Sequence, residues 1–516
     1  MKTIKTSIAL LVGAALLSGC NDDTEYVNVQ PKEVKIATYN LSFDRATFEA
    51  LVSEMQIEPA QQTVLVTAYL DGSIAAEDKT TAEKVIQIRN VAAIIQKNRP
   101  DVLMMAEYNN DGTGENKAAL EGFQKNYLSV AQSINGAGGE ANLEPIEYPY
   151  AESYSTNTGL LSEFDLDNNG TAGQMPGDAW GFGMYHGQYA FALMSKYKID
   201  TANTRTFQAF KWKDMEGAKI PTITICDGSQ KIPDGMKCGD EWYSAEEWDQ
   251  VRLSSKNHVD APIIIPTRNG EEVVHLLMSH PTPPVFDPGK NKAQNAAEVE
   301  FWHHYIQGKD YFYDDAGKQG GLASGAKFVM MGDQNLDPVA GDGISSVMQE
   351  LHNDPLVNQT VMNGDLYPTS FGAAEHAVDR SSTHPYPNRI TSTFGLGVDY
   401  ALPSANLNVV DSGVYWSASY EEGRKLFNIL EFAPDWTLSA IRSFTKAIPE
   451  SLFNPKEWDM ATGIKGLYKP LTAGDHARRY QMRVAMMSFT FANAVNYALS
   501  GHFVWDNKDV TTVEDG

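Results

Sequence analysis

Val102-Leu103-Met104-Met105-Ala106-Glu107 is an unbroken apolar run that ends on a carboxylate. It follows Asn98-Arg99-Pro100, where a helix must stop because the residue before a proline avoids the helical region. The run therefore reads as a buried strand. Upstream, Val85 to Gln96 places Val85, Ile88, Val91, Ala92 and Ile95 on one helical face. Further upstream, Val34 to Asn40 has the β-branched composition of a strand. Downstream, similar strands are expected at Tyr189 to Met194, Val273 to Met278, Lys327 to Met331 and Val398 to Leu402. Helices interleave with them, notably around Asn295 to Ile306. Buried strands alternating with amphipathic helices predict a layered α/β sandwich, two packed sheets with helices outside.

The stretch from Tyr415 to Ser500 differs. Glu421 to Phe432, Thr437 to Ile448 and Ala477 to Leu499 all have helical apolar spacing. It reads as a helical insertion, about 418–498, between the last two strands.

The N-terminus has Lys2 and Lys5 before an apolar run from Ile8 to Leu17, the shape of a signal-peptide core. The run ends in Leu17-Ser18-Gly19-Cys20, which resembles a bacterial lipobox. That resemblance implies cleavage before Cys20 and lipidation of its sulfur. Each buried methylene contributes about 0.8 kcal/mol, so several acyl chains hold a protein firmly to a bilayer. The alternative is an ordinary secretory signal with a chance cysteine. Residues 1–19 are then the signal peptide, 20–32 a polar tether and 33–516 the folded domain. The expected location is the bacterial cell envelope, in the periplasm or at the cell surface. No later segment offers about twenty consecutive apolar residues.

Cys226 and Cys238 stand twelve residues apart in a segment rich in Gly, Asp and Pro. In an oxidising compartment this suggests a loop disulfide. Two free thiols, or half of a metal site, are the alternatives. The formal charge is −25. That balance argues against a broad basic surface of the kind that grips long nucleic acids. Adaptation to a salty environment would also account for it.

The expected strands deliver polar residues at or near their ends. Asn40 follows Ile-Ala-Thr-Tyr, and Glu107 follows Val-Leu-Met-Met-Ala. His280 stands in Leu-Met-Ser-His-Pro, Asp333 and Asn335 in Met-Met-Gly-Asp-Gln-Asn, and Asp399 in Gly-Val-Asp-Tyr-Ala-Leu. Carboxylate and amide oxygens suit a hard divalent cation. A carboxylate can aim and deprotonate a water, and fixed donors stabilise developing charge. These are the needs of phosphoester hydrolysis.

The order of these elements resembles the endonuclease/exonuclease/phosphatase superfamily. That group includes pancreatic-type deoxyribonuclease, abasic-site endonucleases, neutral sphingomyelinases and inositol polyphosphate phosphatases. The resemblance runs from Val34 to Ser417 and resumes at the C-terminus. It is nearest to a bacterial exported branch through Gly187-Gln188-Tyr189-Ala190, Arg252-Leu253-Ser254-Ser255-Lys256-Asn257-His258 and Ser279-His280-Pro281-Thr282-Pro283-Pro284-Val285-Phe286-Asp287. It implies a four-layer α/β sandwich whose two sheets are mostly antiparallel.

The resemblance also implies roles. Glu107 is the principal metal ligand, with Asn40 beside it. His280 contacts the phosphoryl group. Asp333 orients or deprotonates the attacking water, and Asn335 donates to phosphoryl oxygens. Asp399 holds a final histidine in its working tautomer. Mg is the favoured ion, with Mn or Ca as alternatives. The family pattern ends in Ser-Asp-His before a strand, and here the sequence departs from it. Leu499-Ser500-Gly501-His502-Phe503-Val504-Trp505 has the position and the strand, but Gly501 replaces the acid. Gly474-Asp475-His476 keeps the pair but leads into a helical pattern. His502 is preferred.

Asp165-Leu166-Asp167-Asn168-Asn169-Gly170 resembles the start of a calcium loop, with Asp165, Asp167 and Asn169 at alternate positions. Pro176 stands where an EF-hand needs Glu, and an Asp/Asn-rich turn is the competing reading. His258 and Lys256 are candidates to reach substrate, or else a polar pair at a strand edge. His303-His304 reads as solvated and Trp302 as core. The expected partners are a small phosphoester, rather than nucleic acid, and the membrane through the N-terminal lipid anchor, and the protein is expected to be a monomer. A cell-surface nuclease and a catalytically impaired phosphoester-binding lipoprotein are the alternatives.

Overall fold

The computed structural model describes residues 33–267, 270–380 and 382–427, and the backbone of two short paired strands, Trp458–Asp459 and Gly463–Ile464. Cys20, the leader and tether, His476, Gly501 and His502 lie outside the described residues, as does most of the expected insertion.

The first sheet starts with β1, Ile36–Phe43. Three helices follow: α1, Phe48–Met55; α2, Pro59–Asp71; and α3, Lys79–Asn98. Helix α1 begins where the Thr47 side chain accepts from Ala50 N, and α3 ends at Arg99, left-handed at φ 49° before Pro100. Strand β2, Val102–Tyr108, runs parallel to β1. Helix α4, Ala118–Phe123, leads on to β3, Tyr150–Ser153, and β4, Ala192–Ser195. The order is β1-β2-β4-β3, with β4 antiparallel to both of its neighbours.

The second sheet contains β5, Lys198–Ile199, and β6, Arg205–Thr206. After α5, Ala245–Trp248, come β7, His258–Thr267, and β8, Gly270–Ser279. Helix α6, Lys290–Ile306, joins β8 to β9, Lys327–Asp333. Helices α7, Ser345–Asn353, α8, Gln359–Met362, and α9, Phe371–Asp379, precede β10, Asp399–Pro403. The order is β10-β9-β8-β7-β5, with β6 also on β7. Among the described strands of this sheet, only the β8–β9 pairing is parallel.

The two sheets pack face to face. Val102, Met104 and Leu193 of the first meet Val259, Ala261, Leu276, Met278, Val329 and Met331 of the second. The alternate residues Leu103, Met105 and Met194 pack outward against Phe48, Leu51, Ile88, Val91 and Phe123. Leu277, Phe328, Met330 and Leu402 do the same against Phe301, Trp302, Tyr305 and Met348. Both faces of each central strand are therefore buried, which is why the strands read as continuous apolar runs. Each fully buried aliphatic side chain contributes about 1.5–3 kcal/mol. The result is a four-layer α/β sandwich of two mixed, mostly antiparallel sheets.

Several expectations shift. The strand predicted from Tyr189 starts at Ala192, because Tyr189 takes φ 59° and donates its N–H to Asn109 Oδ1. The expected helix from Glu421 begins, in its described part, as a 3₁₀ turn at Arg424–Leu426. His303 and His304 are half-buried rather than solvated. His303 Nε2 lies 2.9 Å from Asp354 Oδ2 and His304 Nδ1 lies 2.8 Å from the Tyr311 hydroxyl. Trp302 is core, and Cys226 and Cys238 form a disulfide. Among the described residues, no helix is long and apolar enough to cross a membrane.

Candidate active site

Strand ends from both sheets meet at one edge of the sandwich. Asn40 of β1 donates from Nδ2 to Glu107 Oε1 at 3.0 Å and to Asp333 Oδ2 at 3.1 Å. One amide thus joins a carboxylate at the end of β2 to a carboxylate at the end of β9, across the two sheets. Glu107 and Asn335 both take left-handed backbone, φ 54° and 50°. Such conformations cost non-glycine residues on the order of 1 kcal/mol or more, and they cluster where a side chain must be aimed.

Asp333 Oδ1 accepts from Asn335 N at 2.9 Å, and Asn335 Nδ2 donates to Pro281 O at 3.1 Å. His280 Nε2 lies 3.8 Å from Asp333 Oδ2. Burial, and then the Lys256 charge, hold the His280 ring well below its ordinary pKa, so the ring is neutral and the contact is not an ion pair. Its Nδ1 is buried with no hydrogen-bond partner among the described residues. Asp399 stands directly opposite Asp333 in the β9–β10 ladder. Its N–H donates to Thr391 Oγ1 at 3.1 Å, and its Oδ1 is buried without a partner among the described residues.

Burial, then the charges of Asp333 and Glu107, push the Asp399 carboxyl well above the usual range. Burial also raises Asp333 and Glu107, against the donors that Asn40 offers both. Lys256 is buried beside them, and its Nζ donates to Pro281 O at 3.3 Å. Burial lowers its pKa, against the attraction of Glu298, Asp333 and Glu107. Three carboxyls are thus raised by burial around one buried ammonium. Two of them, Asp399 and Glu107, also repel their acidic neighbours. A hard divalent cation would relieve that strain, and the Glu107 and Asp333 carboxylates, both reached by the Asn40 amide, offer the oxygen donors such an ion takes. These residues fit such an ion, with Glu107 and Asp333 as the groups that would hold it; the expected ligand Asn40 instead turns its NH2 toward both carboxylates, its Oδ1 accepting from Ser42 N at 3.0 Å.

Gly332 sets the spacing of this edge. At φ 137° it lies so close to β8 that a Cβ would sit 2.0 Å from Ser279 O. Asp333 follows immediately.

His258 is a correction. Its Nδ1 lies 2.6 Å from Ser254 Oγ and its Nε2 lies 2.8 Å from Glu298 O, with the Phe301 ring centroid 4.4 Å away. Burial lowers its pKa to about 4. Both ring nitrogens are engaged inside the fold, so it offers no group to a substrate. The calcium-loop expectation also changes. Asp165 and Asp167 gather with Asp178, their ligand atoms within 4.8 Å of one another. Asn169 instead turns its amide to Asp167 Oδ2 at 3.1 Å. Loop amides from Leu166, Asn169, Gly170 and Gln174 donate to all three carboxylates, as an Asp-rich turn requires.

Sequence reasoning missed the polar face of α6. Asn295 Nδ2 donates to Thr282 O at 2.9 Å and to Gln334 O at 3.0 Å. Glu298 is buried and accepts from Ser255 and Thr282. The available signal was Gln294, Asn295 and Glu298 at helical spacing on the same face as Trp302. Tyr189 was also missed as a neighbour of Glu107, whose charge helps raise the Tyr189 hydroxyl after burial and Asp44.

The Endonuclease/Exonuclease/phosphatase family profile matches residues 37–420. The chain belongs to the endonuclease/exonuclease/phosphatase family. That family includes phosphodiesterases, nucleases and sphingomyelinases, and is generally hydrolytic and metal-dependent. Solved structures of similar fold include an endonuclease/exonuclease/phosphatase from Beutenbergia cavernae DSM 12333, at 13% identity and TM-score 0.31. That match covers 63% of this chain and 60% of the other, so the chain spans about three fifths of that protein's length. A family protein from Leptotrichia buccalis C-1013-b is 14% identical, with 72% and 88% covered and TM-score 0.32. A mutant beta toxin from Staphylococcus aureus with bound magnesium ions is 11% identical, with 73% and 84% covered and TM-score 0.30. No curated protein matches the chain.

Proposed function

We propose that the chain is a divalent-metal-dependent phosphoester hydrolase acting on small phosphomonoesters or phosphodiesters outside the cytoplasm. The observation that carries this is the Asn40 amide bridging Glu107 and Asp333, which gathers the two sheets' strand-end carboxylates into one cluster.

When bound, the cation, with Mg favoured over Mn or Ca, would offset charge on the phosphoryl oxygens. Asp333 orients the attacking water and takes its proton, its other oxygen being held by Asn335 N. Neutral His280 and the free N–H of the Asn335 amide donate to phosphoryl oxygens. Lys256 adds a positive charge in a site shielded from water, where it acts more strongly than on a surface. Asp399 has an unpaired oxygen among the described residues. It serves to accept a ring N–H and fix a histidine, proposed as His502.

The charge of −25 favours a small substrate over a long nucleic acid. Export and lipid anchoring at Cys20 belong to the same proposal and rest on the lipobox resemblance. Mass spectrometry of the mature N-terminus tests them, since an unmodified Cys20 overturns anchoring.

The test is turnover of p-nitrophenyl phosphate, bis-p-nitrophenyl phosphate, sphingomyelin and plasmid DNA with Mg, Mn or Ca. Hydrolysis of the small esters that chelator abolishes supports the reading. Preference for plasmid DNA moves the chain to a surface nuclease. Phosphate binding without turnover moves it to a binding lipoprotein.

A further inference from the structure

Helix α6 carries more polar chemistry on its buried side than a core helix needs. Gln294 Nε2 donates to Leu253 O at 3.0 Å, and Trp302 Nε1 donates to Ser279 Oγ at 2.8 Å. Asn295 joins Thr282 to Gln334. Glu298, 1% exposed, accepts from Ser255 N at 2.6 Å and Ser255 Oγ at 2.9 Å on one oxygen. Its other oxygen accepts from Thr282 N at 2.8 Å. The segments before β7, after β8 and after β9 are all tied to this one helix face. They carry Lys256, His280, Asp333 and Asn335.

Glu298 is the centre of these ties. Burial pushes its carboxyl up to about 7, while Lys256 and its three donors pull it down. Both oxygens are engaged by groups on the two loops. Ser255 immediately precedes Lys256, and Thr282 immediately follows Pro281, whose carbonyl accepts from Lys256 Nζ at 3.3 Å. The two ties made by Glu298 therefore flank both the backbone of the lysine and the carbonyl that holds its ammonium.

We propose that Glu298 is a positioning residue: its buried carboxyl group locks the Ser255 and Thr282 loops together and so holds Lys256 toward the phosphoryl position beside Glu107 and Asp333. This deepens the hydrolase reading and rests on it. Glu298 touches no substrate; it acts through Lys256.

A double-mutant cycle on the full chain tests this. Glu298→Gln keeps the size and replaces one accepting oxygen with an amide donor. It should lower kcat/KM about tenfold to a hundredfold, the usual cost of losing an outer-shell partner. In a Lys256→Met background the same change should cost no more than about twofold, because coupled sites are not additive. Equal losses in both backgrounds would make Glu298 a structural strut and overturn the proposal, as would no loss in the single variant. Thermal melts verify folding, and Ser255→Ala carries the same cycle should Glu298→Gln fail to fold. If the unmodified chain hydrolyses no ester, the hydrolase reading falls by itself. The cycle is then read from calorimetric binding of inorganic phosphate with Mg, where Glu298 and Lys256 must still couple. Additive or absent effects there also overturn it.

Discussion

The Asn40 side chain donates to the Asp333 carboxylate at 3.1 Å from the opposite sheet. The two residues are 293 positions apart. Their meeting requires that β1 and β9 end at the same edge with the sheets packed face to face. The apolar layer of Met104, Leu276, Met278 and Met331 supplies that packing. Site geometry and core packing are therefore one problem in this fold: what moves a sheet moves the cluster.

The first consequence concerns the metal. In the proposed reading Glu107 is the principal ligand of the cation. With metal at 100 times its Kd, the unmodified chain should gain about 2.7 kcal/mol of stability over the chelated form. Glu107→Ala should gain almost none and should lose at least about a hundredfold in turnover. Thermal melts with and without chelator, run beside the ester assay, measure both. An unchanged metal shift in the variant would remove Glu107 from the ligand set.

A second consequence concerns Gly332. A Cβ there would meet Ser279 O at 2.0 Å, and backbone cannot yield as a side-chain tip can. Gly332→Ala should part β9 from β8 and displace Asp333. The expected cost is roughly 2 kcal/mol or more, from strain at positive φ plus the clash. Activity should fall further than stability alone explains. Denaturant titration and turnover at a temperature where the variant stays folded separate the two.

The strands were legible where both faces are buried, as at Val102–Tyr108 and Lys327–Asp333, because burial on two sides leaves a continuous apolar run. The ends of these runs exposed Glu107 and Asp333 as candidates. Strand β7 was not legible. Pro262 and Pro266 interrupt it, and proline argues against a central strand. It is tolerated because β5 and β6 cover little of that side, so a missing N–H costs little. His258 was misjudged because contacts with α6, forty residues away, decide its role. Asp178 escaped notice because a loop returns it to Asp165 and Asp167, and no local spacing announces that.

The Cys226–Cys238 disulfide closes a loop over a separation of twelve residues. Chain-entropy loss in the unfolded state then predicts about 3 kcal/mol of stabilisation. The neighbouring Thr224 and Ile225 amides both donate to Pro288 O, just before α6, so the loop is also tied to the rest of the fold. Urea unfolding of the oxidised chain, its reduced form and Cys226→Ser/Cys238→Ser should show the two thiol forms equally weakened. Identical midpoints for all three would mean that the bridge does not form in solution.

Acid stability should track buried neutral histidines. His352 is 4% exposed, and burial lowers its pKa from 6.5 to about 4, with Asp337 opposing and Arg389 assisting. A depressed folded pKa means that the unfolded chain binds the proton first. The stability is full above pH 6.5 and is lost as pH falls from there toward 4. The whole window is on the order of 3 kcal/mol for such a group. His258 has the same depression and adds a similar slope. His352→Leu should therefore lose less stability between pH 7 and pH 4.5 than the unmodified chain, whatever its stability at pH 7. The remaining slope belongs to His258, His280, His304 and the carboxylates. Urea titrations at both pH values decide it, and equal pH losses in the two proteins would show that His352 is already protonated in the fold.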